Sequence, residues 1–350
     1  MDGMRHHIRK WVTRRIALLL ASGLALASIA ETARAQTLKA VKDRGLLVCG
    51  VSEGLYGFSA ADDKGNWSGF DVDFCRAIAA AIFNDPDKIK FVPLSAGDRF
   101  TALKSGAIDV LSRNTTWTIS RESALGLNFA AVTYYDGQGF LVPGTLKVES
   151  ALELDGKVVC AQSGTTTELN LADYFSANKM KYELVAAKTM DEARKAYETG
   201  RCNVLTSDIS QLYAERLKLP NPGQHTILPD IISKEPLGMA VRQGDDQWFN
   251  IVKWTHFAMI NAEELGVTSK AVEQAMKSEK PDVKRLVGTD GAYGEQIGLT
   301  RDWAARIVKL VGNYEEVFER NVGTGSKLGI PRGINNLWTS GGIQYAPPIR

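Results

Sequence analysis

Two α/β lobes in one chain are the fold class that this 350-residue sequence predicts. Three observations carry the expectation. Short apolar runs alternate with stretches of helical spacing, the alternation occurs twice, and two pairs of segments in the two occurrences resemble each other. The composition, 44% apolar and 23% charged, suits a globular protein with a large core. At about 100–200 residues per domain, two lobes are the expected number. Aromatic residues at 8% and only 11 prolines argue against a long disordered region. A formal charge of +2 offers no basic field for nucleic acid, and 4 histidines give little support to a metal site. No cofactor is expected.

Residues 1–35 read as a signal peptide. Arg5, Arg9, Lys10, Arg14 and Arg15 form a positive leader, and Ile16 to Ala30 is uncharged and mostly Ala and Leu. Ala33-Arg34-Ala35 then fits a small-x-small cleavage site. Removing this segment leaves 36 basic and 38 acidic residues, a net charge of −2. No second long apolar run follows, and no cysteine near the cleavage site could carry a lipid anchor. The expectation is an exported, unanchored protein of a bacterial periplasm. Cys49, Cys75, Cys160 and Cys202 fit an oxidising compartment, where an even count favours two disulfides.

The elements follow in order. Leu46 to Val51 is a short apolar run between charges and turns, as in a buried strand. Asp71 to Phe83 carries Val72, Phe74, Cys75, Ile78, Ala79 and Ile82 at helical spacing, and Asn84-Asp85-Pro86 stops it. Ile89 to Pro93 is a strand, Asp98 to Lys104 a helix closed by Gly106, and Ile108 to Leu111 a strand. The pattern then recurs: strand Lys157 to Gln162, helix Thr167 to Asn178, strand Tyr182 to Val185, helix Met190 to Tyr197, strand Asn203 to Thr206. Leu47–Ser52 resembles Val158–Ser163, and Ala102–Ser112 resembles Ala196–Thr206.

Ligands of open α/β sheets sit beyond the carboxyl ends of the strands. Three segments lie there: Ser112 to Arg121, Ser163 to Glu168, and Ser207-Asp208. They offer hydroxyls, backbone N–H groups, a cation and a carboxylate. A zwitterion needs such a set, donors for its carboxylate and an acceptor for its ammonium.

Gly69-Phe70-Asp71-Val72-Asp73-Phe74, continuing through Ile78, Ala79 and Ile82, resembles the signature of periplasmic solute-binding proteins of ABC importers for polar amino acids. The resemblance runs from about Gly45 to about Gly266. The runs Gly69–Ile82, Phe100–Trp117, Tyr134–Val142 and Ser163–Phe175 look most like the general L-amino-acid-binding members. It implies the type II periplasmic binding protein fold: two lobes with parallel or mixed sheets, hinged by two crossing strands that look like 137–142 and 237–241. The first lobe would be 37–142 plus 237–350, with an extension from about 280, and the second 143–236. The implied partners are an L-amino acid and an inner-membrane ABC permease; a monomer is expected.

Site residues are carried over on the same basis. Arg121 is similar in position to the arginine that clamps the ligand α-carboxylate, a job its bidentate fork suits; the plainer reading is a surface arginine beside Glu122. Thr116 and Asn114 match positions that contact ligand by hydroxyl and backbone, or else form an ordinary polar turn. Thr165 and Thr166 open a helix whose N–H groups suit a carboxylate, while Glu168 is spaced to close a capping box on Thr165. Asp208 sits where the family has the acceptor of the ligand ammonium, or is simply a helix N-cap. Phe58 is similar in placement to an aromatic flanking the ligand, although an aromatic residue near a strand and loop is more often core, and Ser52 is a weaker candidate. Cysteine pairing within lobes would join Cys49 to Cys75 and Cys160 to Cys202. The second pair looks staggered by roughly 10 Å at ~3.3 Å per residue, so free thiols stay open. A rival reading is an exported enzyme on the same fold, such as a dehydratase of a small carboxylate, with Glu168 as its general acid or base.

Overall fold

The computed structural model describes residues 36–350, so the expected signal peptide lies outside the described residues. Among the described residues no helix is long and apolar enough to cross a membrane. Helix α1 (Thr37–Arg44) leads into β1 (Leu47–Ser52), a strand buried at every position. That burial explains its unbroken apolar run, because a central parallel strand is covered on both faces. A small hairpin, β2 (Ala60–Ala61) and β3 (Trp67–Ser68), precedes α2 (Phe70–Phe83). Gly69 sits at φ 132°, and a Cβ there would lie 2.2 Å from the Phe58 carbonyl oxygen, so glycine alone fits this entry to the helix. Next come β4 (Ile89–Leu94), α3 (Arg99–Ser105) and β5 (Val110–Leu111). Gly106 ends α3 in the left-handed conformation, as its sequence position predicts. The long β6 (Leu127–Asp136) closes this part of the sheet.

The second unit repeats the plan. It contains β7 (Gln138–Pro143), β8 (Lys157–Gln162), α4 (Thr166–Ala177), β9 (Tyr182–Ala187), α5 (Met190–Glu198), β10 (Val204–Asp208), α6 (Ile209–Lys218) and β11 (His225–Ile227). Then β12 (Glu235–Arg242) returns to the first sheet. The sheet orders are β4-β1-β5-β12-β6 and β9-β8-β10-β7-β11. In each, three parallel strands are followed by one that runs against them and then by a fifth antiparallel to that one. The recurrence in sequence is therefore a recurrence in topology. Even the strand entries match, with Asp109 N–H donating to Val48 O and Asn203 N–H to Val158 O. Strands β5 and β10 start later than expected, at Val110 and Val204, because those entry residues turn into the sheet rather than run along it.

The crossings differ from expectation in place. Segments 137–142 and 237–241 each lie almost wholly in one sheet, as β7 in the second and β12 in the first. The chain passes between sheets at Asp136–Gly137 and again over 228–234.

Both disulfides pair within a unit: Cys49 with Cys75 (Cα–Cα 6.3 Å) and Cys160 with Cys202 (Cα–Cα 5.8 Å). The stagger argued from strand rise does not apply to the second. Register matches Leu205 to Cys160, but Cys202 precedes β10 and lies in the turn that enters it, so the chain folds back towards Cys160.

Helix α7 (Asp246–Glu264) covers the first sheet, and α8 (Val272–Ala275), α9 (Pro281–Val287), α10 (Tyr293–Gln296), α11 (Trp303–Leu310) and α12 (Tyr314–Asn321) follow. The extension shares the first unit's core. Phe318 stacks on Tyr134 at 5.9 Å between centroids, and Tyr314 packs edge-on to Phe70 at 5.9 Å. Arg320 and Asn321 both reach Asp73 of α2, at 2.8 and 2.6 Å. Asn335 pairs with both backbone groups of Tyr135, next to the first crossing. Arg332 grips Glu263 through two contacts, 2.6 and 3.2 Å, with both side chains 8% exposed. Breaking a buried ion pair by removing one partner typically costs ~3–5 kcal/mol. Glu263→Ala is therefore expected to lower the thermal midpoint by on the order of 10 °C. Replacing Glu263 and Arg332 together by apolar residues should cost less than Glu263→Ala alone, and differential scanning calorimetry compares them.

Candidate functional site

The carboxyl ends of the strands in both sheets meet in a narrow cleft of about 20 Å³. Asn114, Thr116 and Arg121 line it from the first unit, and Thr165, Thr166 and Asp208 from the second. Six of the seven ligand residues expected from sequence thus come together. Phe58 does not. It is 1% exposed, with its ring 5.5 Å from Tyr134 and 5.9 Å from Phe70, so it belongs to the core rather than to the cleft. Ser52 lies off the cleft as well, with its N–H bonded to Ser59 Oγ.

Backbone pairing holds the first-unit residues. Trp117 N–H donates to Pro236 O (2.8 Å), and Gly238 N–H donates to Thr115 O (3.0 Å), so the loop after β5 is pinned to β12. Asn114 adopts a φ of +30°, and its N–H donates to the Asp71 carboxylate at 2.8 Å. That explains a buried Asp71 inside the helix signature. Burial pushes Asp71 up to about 7, against the lowering effect of the Asn114 N–H. Arg121 sits on a π-helical turn (Ser120–Ala124) and donates to Thr116 O at 2.7 Å. Burial lowers its pKa, while Glu235 and Asp208 oppose that shift.

The second unit contributes two helix starts. Thr165 occupies the N-cap position of α4, but its hydroxyl donates back to Gln162 O (2.7 Å) and caps nothing. The expected capping box on Thr165 does not form. Glu168 instead accepts from Ser163 Oγ (3.2 Å) and Gly164 N–H (3.1 Å), away from the cleft lining. Among the described residues no side chain caps the first N–H groups of α4, which leaves a positive dipole end at the cleft. Gln138 of β7 positions this helix start by donating to Thr167 O and Thr206 Oγ1. Asp208 holds the N-cap position of α6, again without a side-chain capping bond. Its carboxyl group is buried and raised well above the usual range, first by burial and then by Asp136 and Glu235, with Arg121 and Arg99 opposing.

Three charged residues at the cleft are not evident from sequence. Arg99 and Arg113 line it with Arg121. Arg99 is 3% exposed and lies 4.7 Å over the Phe100 ring, and its Nε donates to no acceptor among the described residues. Arg113 Nε is held by Leu94 O (2.9 Å), and burial brings its pKa down to about 10. Glu235 starts β12 at the second crossing and is 1% exposed. It accepts from Thr116 Oγ1 (2.5 Å) on one side of the cleft, and from Thr166 Oγ1 (3.0 Å) and Asn170 Nδ2 (2.6 Å) on the other. Thr116 and Thr166 themselves approach to 3.4 Å, and Asn114 Nδ2 lies 3.4 Å from Gln211 Oε1. The two units are thus drawn together across the cleft. One signal for Arg99 is present in the sequence: a cation in the first turn of α3 opposes the helix dipole, which local stability does not favour.

Residues 47–272 match the model of the bacterial extracellular solute-binding proteins, family 3. The chain belongs to this family. It is a non-catalytic solute-binding protein, and family membership places it in the periplasm. With Glu168 folded onto its own loop, the rival enzyme also loses its acid–base residue. This binding protein is 59% identical over 336 residues to the general L-amino acid-binding periplasmic protein AapJ of Rhizobium johnstonii, covering 95% of this chain and 98% of that one. It is 50% identical over 325 residues to the glutamate/glutamine/aspartate/asparagine-binding protein BztA of Rhodobacter capsulatus, covering 93% and 96%. Among solved structures, a periplasmic binding protein from Brucella ovis with glutathione bound superposes with a TM-score of 0.89 at 56% identity, covering 90% of this chain and 99% of that one.

Proposed function

We propose that the binding protein captures L-amino acids of several kinds between two lobes, 37–136 plus 235–350 and 138–234, and delivers them to an ABC permease after export by the segment 1–35. One observation carries the reading. An arginine and an uncapped helix start face each other across a cleft whose third wall is a buried carboxylate that, among the described residues, makes no capping bond. In this reading the ligand α-carboxylate lies between Arg121, Thr116 and the first N–H groups of α4, and its ammonium lies on Asp208. A zwitterion so placed contacts both lobes, which is what couples binding to closure. Arg99 is the side-chain partner that sequence did not reveal, and it favours acidic and amide side chains. The names of the relatives, one general and one for glutamate, aspartate and their amides, support this breadth. The glutathione bound to the Brucella protein also keeps a free α-carboxylate and α-ammonium at its glutamyl end.

Competition against labelled glutamate tests the breadth. Neutral and basic L-amino acids are expected to compete, whereas amines and deaminated acids should not, because each leaves a buried polar group unpaired. Tight binding of glutamate with no competitor would contradict breadth. A proton signature tests the ammonium site separately. Burial favours the protonated form of Asp208 in the empty cleft, and a bound ammonium favours the ionised form. Binding should therefore release protons, and affinity should fall as pH is lowered. Calorimetry in two buffers of different ionisation enthalpy measures the release, and identical heats in both would remove Asp208 from the ammonium site.

A further inference from the structure

We infer that the cleft is continued by a second, larger cavity that receives an L-amino acid extended through a side-chain amide, that is, a γ-glutamyl peptide. The inference rests on the reading of the cleft as an amino-acid clamp. This cavity measures about 320 Å³, against about 20 Å³ in the cleft. It reaches the lower end of the volumes that hold small organic ligands, roughly 300–1,000 Å³. It too lies between the two units, bounded by the Ser52–Leu55 loop on one side and by the starts and faces of α5 and α6 on the other.

Arg113, Gln162 and Gln211 line both spaces, so they form the partition. All three are buried. The chemistry of the two glutamines selects the occupant. Gln162 Nε2 donates to Lys188 O (3.2 Å), which leaves its amide oxygen to accept. Gln211 Oε1 is occupied by Ser207 Oγ (3.1 Å) and Asn114 Nδ2 (3.4 Å), which leaves its NH2 group to donate. One free acceptor and one free donor match the N–H and C=O of a peptide group. Arg113, held to Leu94 O, adds a positive charge to the same partition, with Glu53 facing it from the second cavity. A γ-glutamyl peptide keeps its free α-carboxylate and α-ammonium for the clamp. Its side-chain amide then falls at the partition, and its second residue enters the cavity.

Titration calorimetry of the mature protein with L-glutamate and with γ-glutamylglycine tests this, using the wild type, Met190→Trp and Glu53→Trp. Both residues line the second cavity and neither lines the cleft. Glu53 is exposed, so its variant carries the test where Met190→Trp fails to fold. The expected result is binding of both ligands to wild type, with at least a tenfold weakening of γ-glutamylglycine and unchanged glutamate affinity in a folded variant. Glutamate binding without γ-glutamylglycine binding overturns the inference and leaves the clamp standing. Equal effects on both ligands, or none in either folded variant, also overturn it. Failure of wild type to bind either ligand overturns the clamp with it.

Discussion

Arg121→Ala and Asp208→Ala are each expected to weaken amino-acid binding by ~2–5 kcal/mol, the usual loss when one partner of a buried charged contact is removed. Thermal midpoints should move far less. Neither side chain holds the core together: the Arg121 guanidinium donates to one loop carbonyl and lies 5.3 Å from the Phe100 ring, and among the described residues Asp208 caps no helix N–H. Burial already disfavours the ionised form of Asp208 in the empty cleft, so removing the carboxyl leaves no buried counter-charge stranded and should cost the fold little. Calorimetry and a melting curve on the same sample separate the two effects. Wild-type affinity in either variant for every amino acid would remove that residue from the clamp.

Glu235→Ala is expected to open the protein. Its carboxylate gathers Thr116 from one unit and Thr166 and Asn170 from the other, and Ser233 Oγ adds a fourth bond at 2.8 Å. Hydrogen bonds to a charged group contribute about 1.5–3 kcal/mol each. Separation of the units must break those on at least one side. The closed population should therefore fall by about tenfold or more. Small-angle scattering should show a larger radius of gyration for the unliganded variant, and affinity should drop in step. Glu235→Gln keeps the size and one acceptor oxygen, and should fall between. An unchanged radius and unchanged affinity in Glu235→Ala would mean that Glu235 does not hold the units together.

Much of this molecule is legible in its amino-acid sequence, for identifiable reasons. Strand β1 announces itself as an unbroken apolar run because both faces are covered, and its counterpart β8 does so over its apolar middle, Val158–Ala161, where burial becomes complete from Val159. The α2 signature reads clearly because its periodic face is core, and its odd buried carboxylates, Asp71 and Asp73, hold Asn114 and the Arg320–Asn321 end of the extension. What the sequence hides depends on distant residues meeting. Glu235 follows Lys234 and looks like half of a surface charge pair, yet it is buried because the returning strand brings it between Thr116 and Thr166. Phe58 is offered to a ligand only by the family resemblance, and the turn before the hairpin places it in the aromatic cluster of Phe70 and Tyr134. The apparent stagger of Cys160 and Cys202 comes from treating a turn residue as if it obeyed strand rise. Arg99 lies inside a correctly expected helix, and a helix prediction alone does not reveal which end of it faces a cleft.

A crystal structure of the mature protein grown with L-glutamate tests the clamp most directly. The expected result is one glutamate per chain, with its α-carboxylate on Arg121, Thr116 and the first N–H groups of α4, and its ammonium within hydrogen-bond distance of Asp208. A glutamate held in the reverse sense, with its ammonium away from Asp208, or bound outside the cleft between the two sheets, would contradict it.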